Sequence, residues 1–328
     1  MRRREFLAAT ISLTSMGLAF AQNDSAIPEI ESNVNLPGHR ESVSDLVFGP
    51  DGTLYSLSRN MLAVWDWPSG KTRAQYSSNK AHKMIYDSEL DRMILWTEQG
   101  MAFVFDLTKK TVQNLVSPAN PQSRLSAVSN ASIHPSIELY AFTHQGGVSL
   151  FERQSLEPYD TIAVSEMERV GTFTPSAITP DLSLIFWVES DGLIKSLRLP
   201  DAEIGPEFGG HRGASQNFMK LSVSADSSKF VSSDPTQIIS WDTKTGKEIS
   251  RVAANNHDAL KVHSLDKPGQ LILAGGRPLG IYDLLQNQMQ TILKSGLSFV
   301  YRAKANSDFS AFAASDDKGR IVGWNLSI

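Results

Sequence analysis

The chain of 328 residues contains no cysteine. That absence excludes disulfides, thiolate zinc sites, iron–sulfur clusters, c-type haem attachment, a cysteine nucleophile and a lipid-modified cysteine anchor. Charge of one sign is missing too: 31 Lys and Arg stand against 35 Asp and Glu, a net charge of −4. No basic field invites nucleic acid or an anionic membrane surface. Beyond the first 21 residues there is no apolar run of the roughly 18 residues that a spanning helix needs, so no membrane span is expected. Nor does any window of about 11 residues carry a sustained 3.6-residue period, which predicts almost no helix. What is present, 41% apolar and 20% charged residues, is the composition of a folded protein rather than a disordered one.

The N-terminus reads Met1-Arg2-Arg3-Arg4-Glu5-Phe6-Leu7, followed by a short apolar run to Phe20 and by Ala19-Phe20-Ala21. A positive start, a short apolar stretch and an A-x-A site predict a secretory signal peptide over residues 1–21 with cleavage near Ala21. Arg3-Arg4-Glu5-Phe6-Leu7 resembles a twin-arginine signal, and Thr10, Ser12, Thr14, Ser15 and Gly17 dilute the apolar run as that route prefers. The resemblance implies export of a folded chain, and so a periplasmic or secreted bacterial protein.

The remainder is repetitive. An apolar run, a bulky residue, a polar residue and a turn recur at Leu62-Ala63-Val64-Trp65-Asp66, Ala102-Phe103-Val104-Phe105-Asp106, Val148-Ser149-Leu150-Phe151-Glu152 and Ile194-Lys195-Ser196-Leu197-Arg198. The series continues at Ile238-Ile239-Ser240-Trp241-Asp242, Gly280-Ile281-Tyr282-Asp283 and Ile321-Val322-Gly323-Trp324-Asn325. The bulky positions 65, 105, 151, 197, 241, 282 and 324 are 40 to 46 residues apart. Before each lies a turn and a short apolar strand, as in Thr179-Pro180-Asp181-Leu182-Ser183-Leu184-Ile185. One strand precedes that turn and another follows the bulky position. Four short strands in each unit of about 43 residues mark a β-propeller. The expected fold is therefore all-β: seven four-stranded antiparallel blades near 38–77, 78–117, 118–165, 166–209, 210–254, 255–296 and 297–328. Trp65, Trp241 and Trp324 are expected to be buried between blades. Blade seven runs out of chain at Ile328 before a fourth strand, and Ile30, Val34 and Leu36 recur within the unassigned residues 22–37. Residues 29–35 are therefore expected to supply the closing outer strand beside Trp324.

Trp65-Asp66 and Trp241-Asp242, with Gly38-His39 and Gly210-His211 ahead of them, resemble the WD40-repeat propellers; YVTN-type and quinoprotein-type bacterial propellers share the architecture. In WD40 blades a His, a turn Asp, a Ser or Thr and the Trp form a hydrogen-bonded staple. By that pattern Asp234 and Asp317 stand one position early, and Arg59 occupies the slot in blade one.

No catalytic constellation stands out. The seven histidines include no HExxH pair, and the chain has no G-x-S-x-G elbow, Walker loop or dinucleotide fingerprint. Gly275-Gly276-Arg277-Pro278-Leu279-Gly280 joins two expected strands and lacks the helix N-terminus of a phosphate cradle. Trp96 and Trp187, at equivalent places in blades two and four, are expected to pack between blades. The reading is an exported, non-catalytic interaction module or scaffold with a protein partner and no cofactor. By WD40 geometry, the turns between second and third strands share the face of the loops leading into each blade. Arg59, Gln99, His144, Asp191, Asp234, Arg277 and Lys318 would lie there, with Arg59, His144 and Arg277 the candidate partner contacts. The alternatives are a propeller enzyme, such as a lactonase-like hydrolase or quinone-cofactor dehydrogenase, and a small-ligand or metal sensor using the central channel.

Overall fold

The computed structural model describes residues 27–326, apart from 50–51, 118–119, 126, 200, 212–213, 215, 217–218, 225, 254–260, 265–269, 275–278 and 284–287. Seven blades of four antiparallel strands form a ring, each running from its innermost strand outward. The innermost strands are Val43–Phe48, Ala81–Asp87, Val128–His134, Ser176–Ile178, Lys220–Val223, Lys261–Ser264 and Arg302–Ala305. Each lies against the next, and Arg302–Ala305 lies against Val43–Phe48, which closes the circle around a central channel. Helix amounts, among the described residues, to the 3-10 turns Pro135–Ile137 and Ser165–Met167 and a 3-10 residue at Gln216. Val116–Ser117 and Asn120–Arg124 pair as a small hairpin between blades two and three, outside the four-strand pattern.

Both faces of a middle strand are covered by neighbouring blades, so these strands are apolar along their length rather than alternating. Thr53–Ser58 and Leu184–Val188 are buried at every residue. Outer strands face water, and Thr111–Asn114 is exposed throughout. Trp65, Trp241 and Trp324 are 1%, 5% and 0% exposed and sit in separate apolar clusters. Trp96 and Trp187 are also buried, but they are not equivalent. Trp96 lies three residues beyond Met93, the partner of Phe105, whereas Trp187 lies two beyond Ile185, the partner of Leu197. One place of register turns them to opposite faces of their blades.

Hydrogen bonds lock two blades from within. In blade five Trp241 Nε1 donates to Ser232 Oγ (2.7 Å), Ser232 is bonded to His211 Nε2 (2.7 Å), and His211 Nδ1 meets Asp234 Oδ2 (2.5 Å). The expected misfit of Asp234 is thus corrected: it completes the chain and is 2% exposed. Blade one repeats the arrangement through Trp65, Ser56 and His39 (2.7 and 2.6 Å), with Ser58 rather than Arg59 on His39 Nδ1 (3.0 Å). In blade seven Asp316, not Asp317, is the buried acid, accepting from the Lys318 and Arg320 amides (both 2.9 Å). Gly210 stands before His211 because a Cβ there would overlap Ile239 and the Trp241 ring.

The N-terminal segment closes the ring in two places. Val34–Leu36 pairs antiparallel with Ile321–Gly323 and takes the outer place of blade seven. Glu29–Glu31, expected on the same strand, instead pairs in parallel with Ile292–Lys294 on the edge of blade six. Trp324 Nε1 donates to Ile30 O (3.1 Å), and Lys294 pairs with Glu29, so the segment ties both blades. Blade one adds two contacts to blade seven. His39 N donates to Gly319 O (2.9 Å), and Trp67 lies over Gly323 with Nε1 donating to Asn325 Oδ1 (2.8 Å). Only a residue without Cβ fits at 323 under that indole.

Blades two and three are joined by Arg153, which is 1% exposed. It donates to both Asp87 oxygens (2.7 and 2.5 Å) and pairs with Glu89 (2.7 Å), while Tyr140 Oη donates to Asp87 Oδ2 (2.6 Å). Burial works against the Asp87 carboxylate, but the hydrogen bonds from Arg153 and Tyr140 outweigh it and hold its pKa below the ordinary value.

Two stability measurements follow from these ties. Arg153→Met leaves Asp87 buried without its bidentate partner, a loss of about 3–5 kcal/mol in denaturant unfolding; a loss below about 1 kcal/mol would show that the clamp is idle. A chain begun at Gly38 loses both edge pairings and melts several degrees below one begun at Gln22. Equal melting of the two chains would mean that the edge pairings add nothing.

Candidate interaction face and central channel

Inner strands begin at one face of the ring, and the turns between second and third strands gather there. Ser78 Oγ donates to Arg59 O (2.6 Å), and Asn60 Nδ2 donates to Glu41 Oε1 (2.8 Å). Gly146 N donates to Met167 O (3.0 Å), and Gln145 Nε2 donates to Glu168 O (2.9 Å). These bonds knit the turns of blades one and three to the loops beside them, which are braced rather than free tips.

Arg59 is exposed at the blade-one turn, and Gln99, Asp191 and Lys318 are exposed on theirs. His144 is half-buried at the end of its strand, with Nε2 bonded to Ser149 Oγ (2.8 Å) and Nδ1 to Gln145 O (2.8 Å). Burial lowers its pKa, against the opposing bond to Gln145. Both ring nitrogens are engaged within its own blade. Arg59 and His144 share the face but no hydrogen bond or ring contact joins them. Arg277 lies outside the described residues. Asp234, grouped with them by sequence, is inside the blade-five staple.

Two features were not singled out from sequence. Phe173, in the loop leading into blade four, is 65% exposed. Its ring centroid lies 5.9 Å from that of His82, on the innermost strand of blade two, so Phe173 reaches past blade three to the channel mouth. His82 Nδ1 is buried without a hydrogen-bond partner among the described residues, and its pKa falls to about 4, through burial first and then through the Lys83 charge. The second feature is a cavity of about 660 Å³ at the opposite mouth, lined by Val47, Phe48, Tyr86, Pro180, Val223 and Lys304 among others. Among the described residues no group of three or more His, Asp or Glu could hold a metal ion, and no helix is long and apolar enough to cross a membrane.

The staple sets a pH response. Burial lowers the His39 pKa from 6.5 to about 4. Between those values the unfolded chain takes up a proton that the folded chain refuses, so stability falls with pH across that window. His39, 8% exposed, accounts for about 3 kcal/mol of this at most. For Asp234, burial opposes ionisation, but bonds from His211 and Thr236 hold its carboxyl well below the usual range. Its contribution, present above the unfolded value, is lost only as pH falls further. The melting temperature should therefore drop from pH 7 to 4, with a shallower slope in His39→Gln; a flat parent profile would contradict the buried neutral imidazole.

No protein-family model matches the chain, and no curated protein matches it.

Proposed function

We propose that the chain is an exported, non-catalytic WD40-type propeller that binds a protein partner on the face carrying Arg59 and Phe173. The observation that carries this reading is Phe173: a large aromatic, 65% exposed, held at the channel mouth against His82 and surrounded by braced polar loops. An apolar anchor within a polar rim is the composition of an interface centre. Arg59, exposed on the same face, is of a residue type enriched at binding hot spots. Support for the WD40 type comes from the Trp–Ser–His–Asp chain of blade five and its Ser58 variant in blade one. Support for export comes from Arg3-Arg4-Glu5-Phe6-Leu7 and Ala19-Phe20-Ala21.

Site-specific photo-crosslinking in the periplasm tests the face. A crosslinker at position 173 should trap one discrete protein, and Arg59→Ala should weaken that product. A crosslinker at Val112, exposed on the outer strand of blade two, is the control. Equal labelling from both positions, or none from 173, would remove the face from consideration.

A further inference from the structure

The innermost strands bring positive charge to the channel. Asp45, Lys83, Asn130, Lys220 and Arg302 take one register place, each paired with the corresponding residue of its second strand. Three of these five are cationic and one is acidic, in a chain whose net charge is −4. Lys304 follows two residues after Arg302 and lines the 660 Å³ cavity.

The one acid is already committed. Asp45 Oδ1 accepts from Leu46 N and Oδ2 from Met84 N, both at 3.0 Å. Arg302 is fixed in place: Nε donates to Ser44 O (2.6 Å), Nη1 donates to Tyr301 O (3.0 Å), and the guanidinium lies 4.1 Å from the Tyr301 ring centroid. Lys83 and Lys304 have neither an ion pair nor a side-chain hydrogen bond among the described residues. The three cations are close enough to act on one another. Burial comes first in pushing the Lys83 ammonium below its ordinary pKa; Asp45 pulls it up, and Arg302 and Lys304 push it down again. Beside them, Trp96 Nε1 and Ser315 Oγ, on the cross-strand partners of Lys83 and Arg302, are buried without a hydrogen-bond partner among the described residues.

Like charges enclosed by low-dielectric walls repel strongly, and the single Asp45 carboxylate does not balance three cations. A ligand with two or more negative charges removes that cost, and a channel of this kind focuses field on such a ligand. Lys304 lines the 660 Å³ cavity together with Asp308, while Lys83 and Arg302 stand at the place two residues earlier on the innermost strands, outside its lining. We propose that the central channel binds a small multivalent oxyanion, phosphate-bearing or polycarboxylate, held by Lys83, Arg302 and Lys304. The proposal does not depend on the partner reading, although Lys83 stands next to His82 of that face.

Calorimetry and thermal melting of the full chain in low-chloride buffer test this, with pyrophosphate and citrate as separate probes. One anion per chain is expected, with a melting temperature that rises with its concentration. A response to pyrophosphate alone identifies a phosphate site, to citrate alone a carboxylate site, and to both a site selective only for charge. Lys83→Met should bind about tenfold or more weakly, yet without anion it should melt no lower than the parent, because it removes a buried charge that Arg302 and Lys304 repel. If Lys83→Met does not fold, Lys304→Gln, at a half-buried position, carries the same test with a weaker but measurable loss. Absence of any response at about 10 mM of either probe, or binding unchanged in both variants, overturns the proposal.

Discussion

An unpaired strand edge is the constraint from which this ring is organised. Each blade buries two apolar faces against its neighbours, so no blade can be left at an open end without exposing one of them. The last blade has only three strands from the C-terminal part of the chain, and the one carrying Trp324 would present its edge to water. Val34–Leu36 covers that edge. The neighbouring Glu29–Glu31 covers the next blade as well, in the less common parallel sense, because three residues earlier the chain has already passed the end of blade seven. Trp67 over Gly323 and His39 on Gly319 complete the joint from the other side. Rigidity at this joint keeps the innermost strands in one circle, and both the braced face and the channel are built on that circle.

Within this frame the blades solve one packing problem in two ways. At the place of Ser232 and Ser56, where blades one and five hold an indole and an imidazole together, blade two has Leu95 and blade four Trp187. A buried polar chain is worth having only when every member is satisfied; otherwise an apolar residue at that place serves better. Blade seven lies between these solutions. Its Trp324 keeps its hydrogen bond, but to the backbone of Ile30, so the tie that elsewhere is internal to a blade here depends on the N-terminal segment.

The architecture was legible because it is written as spacing. Bulky residues at 65, 105, 151, 197, 241, 282 and 324 each mark a third strand, and burial on both faces keeps those strands apolar whatever their turns contain. Finer register was not legible. The turn after Asp234 is short and backed by Thr236 and Gln237, whose amides donate to Asp234 Oδ1 (2.6 and 3.0 Å), so the staple acid sits one place before the slot that the family pattern assigns. The channel lining was hidden for a similar reason. Register shifts at Val43/Asp45, Ala81/Lys83 and Val128/Asn130 break the period-two alternation of the innermost strands, so the sequence does not say which residue of Ala81-His82-Lys83 faces the channel. Phe173 belongs to an irregular loop, where neither period applies, and nothing in its neighbours along the chain marks it as exposed beside His82.

Those bulges also explain how neighbouring residues of one strand can meet different surroundings. Ala81–Asp87 places His82 against Phe173, on the face proposed for a partner, and Lys83, one residue on, within reach of Arg302 and Lys304. The Lys83 charge lowers the His82 pKa, after burial. An anion that neutralises Lys83 would relieve that part of the lowering and favour the imidazolium, changing the charge directly beneath the exposed aromatic. By linkage, any partner sensitive to His82 protonation would then alter anion affinity by the same factor. The physical link is a single peptide unit, shorter than a Debye length and shielded from salt by the ring itself. Such coupling needs no conformational change; adjacent side chains turned to different surroundings are enough.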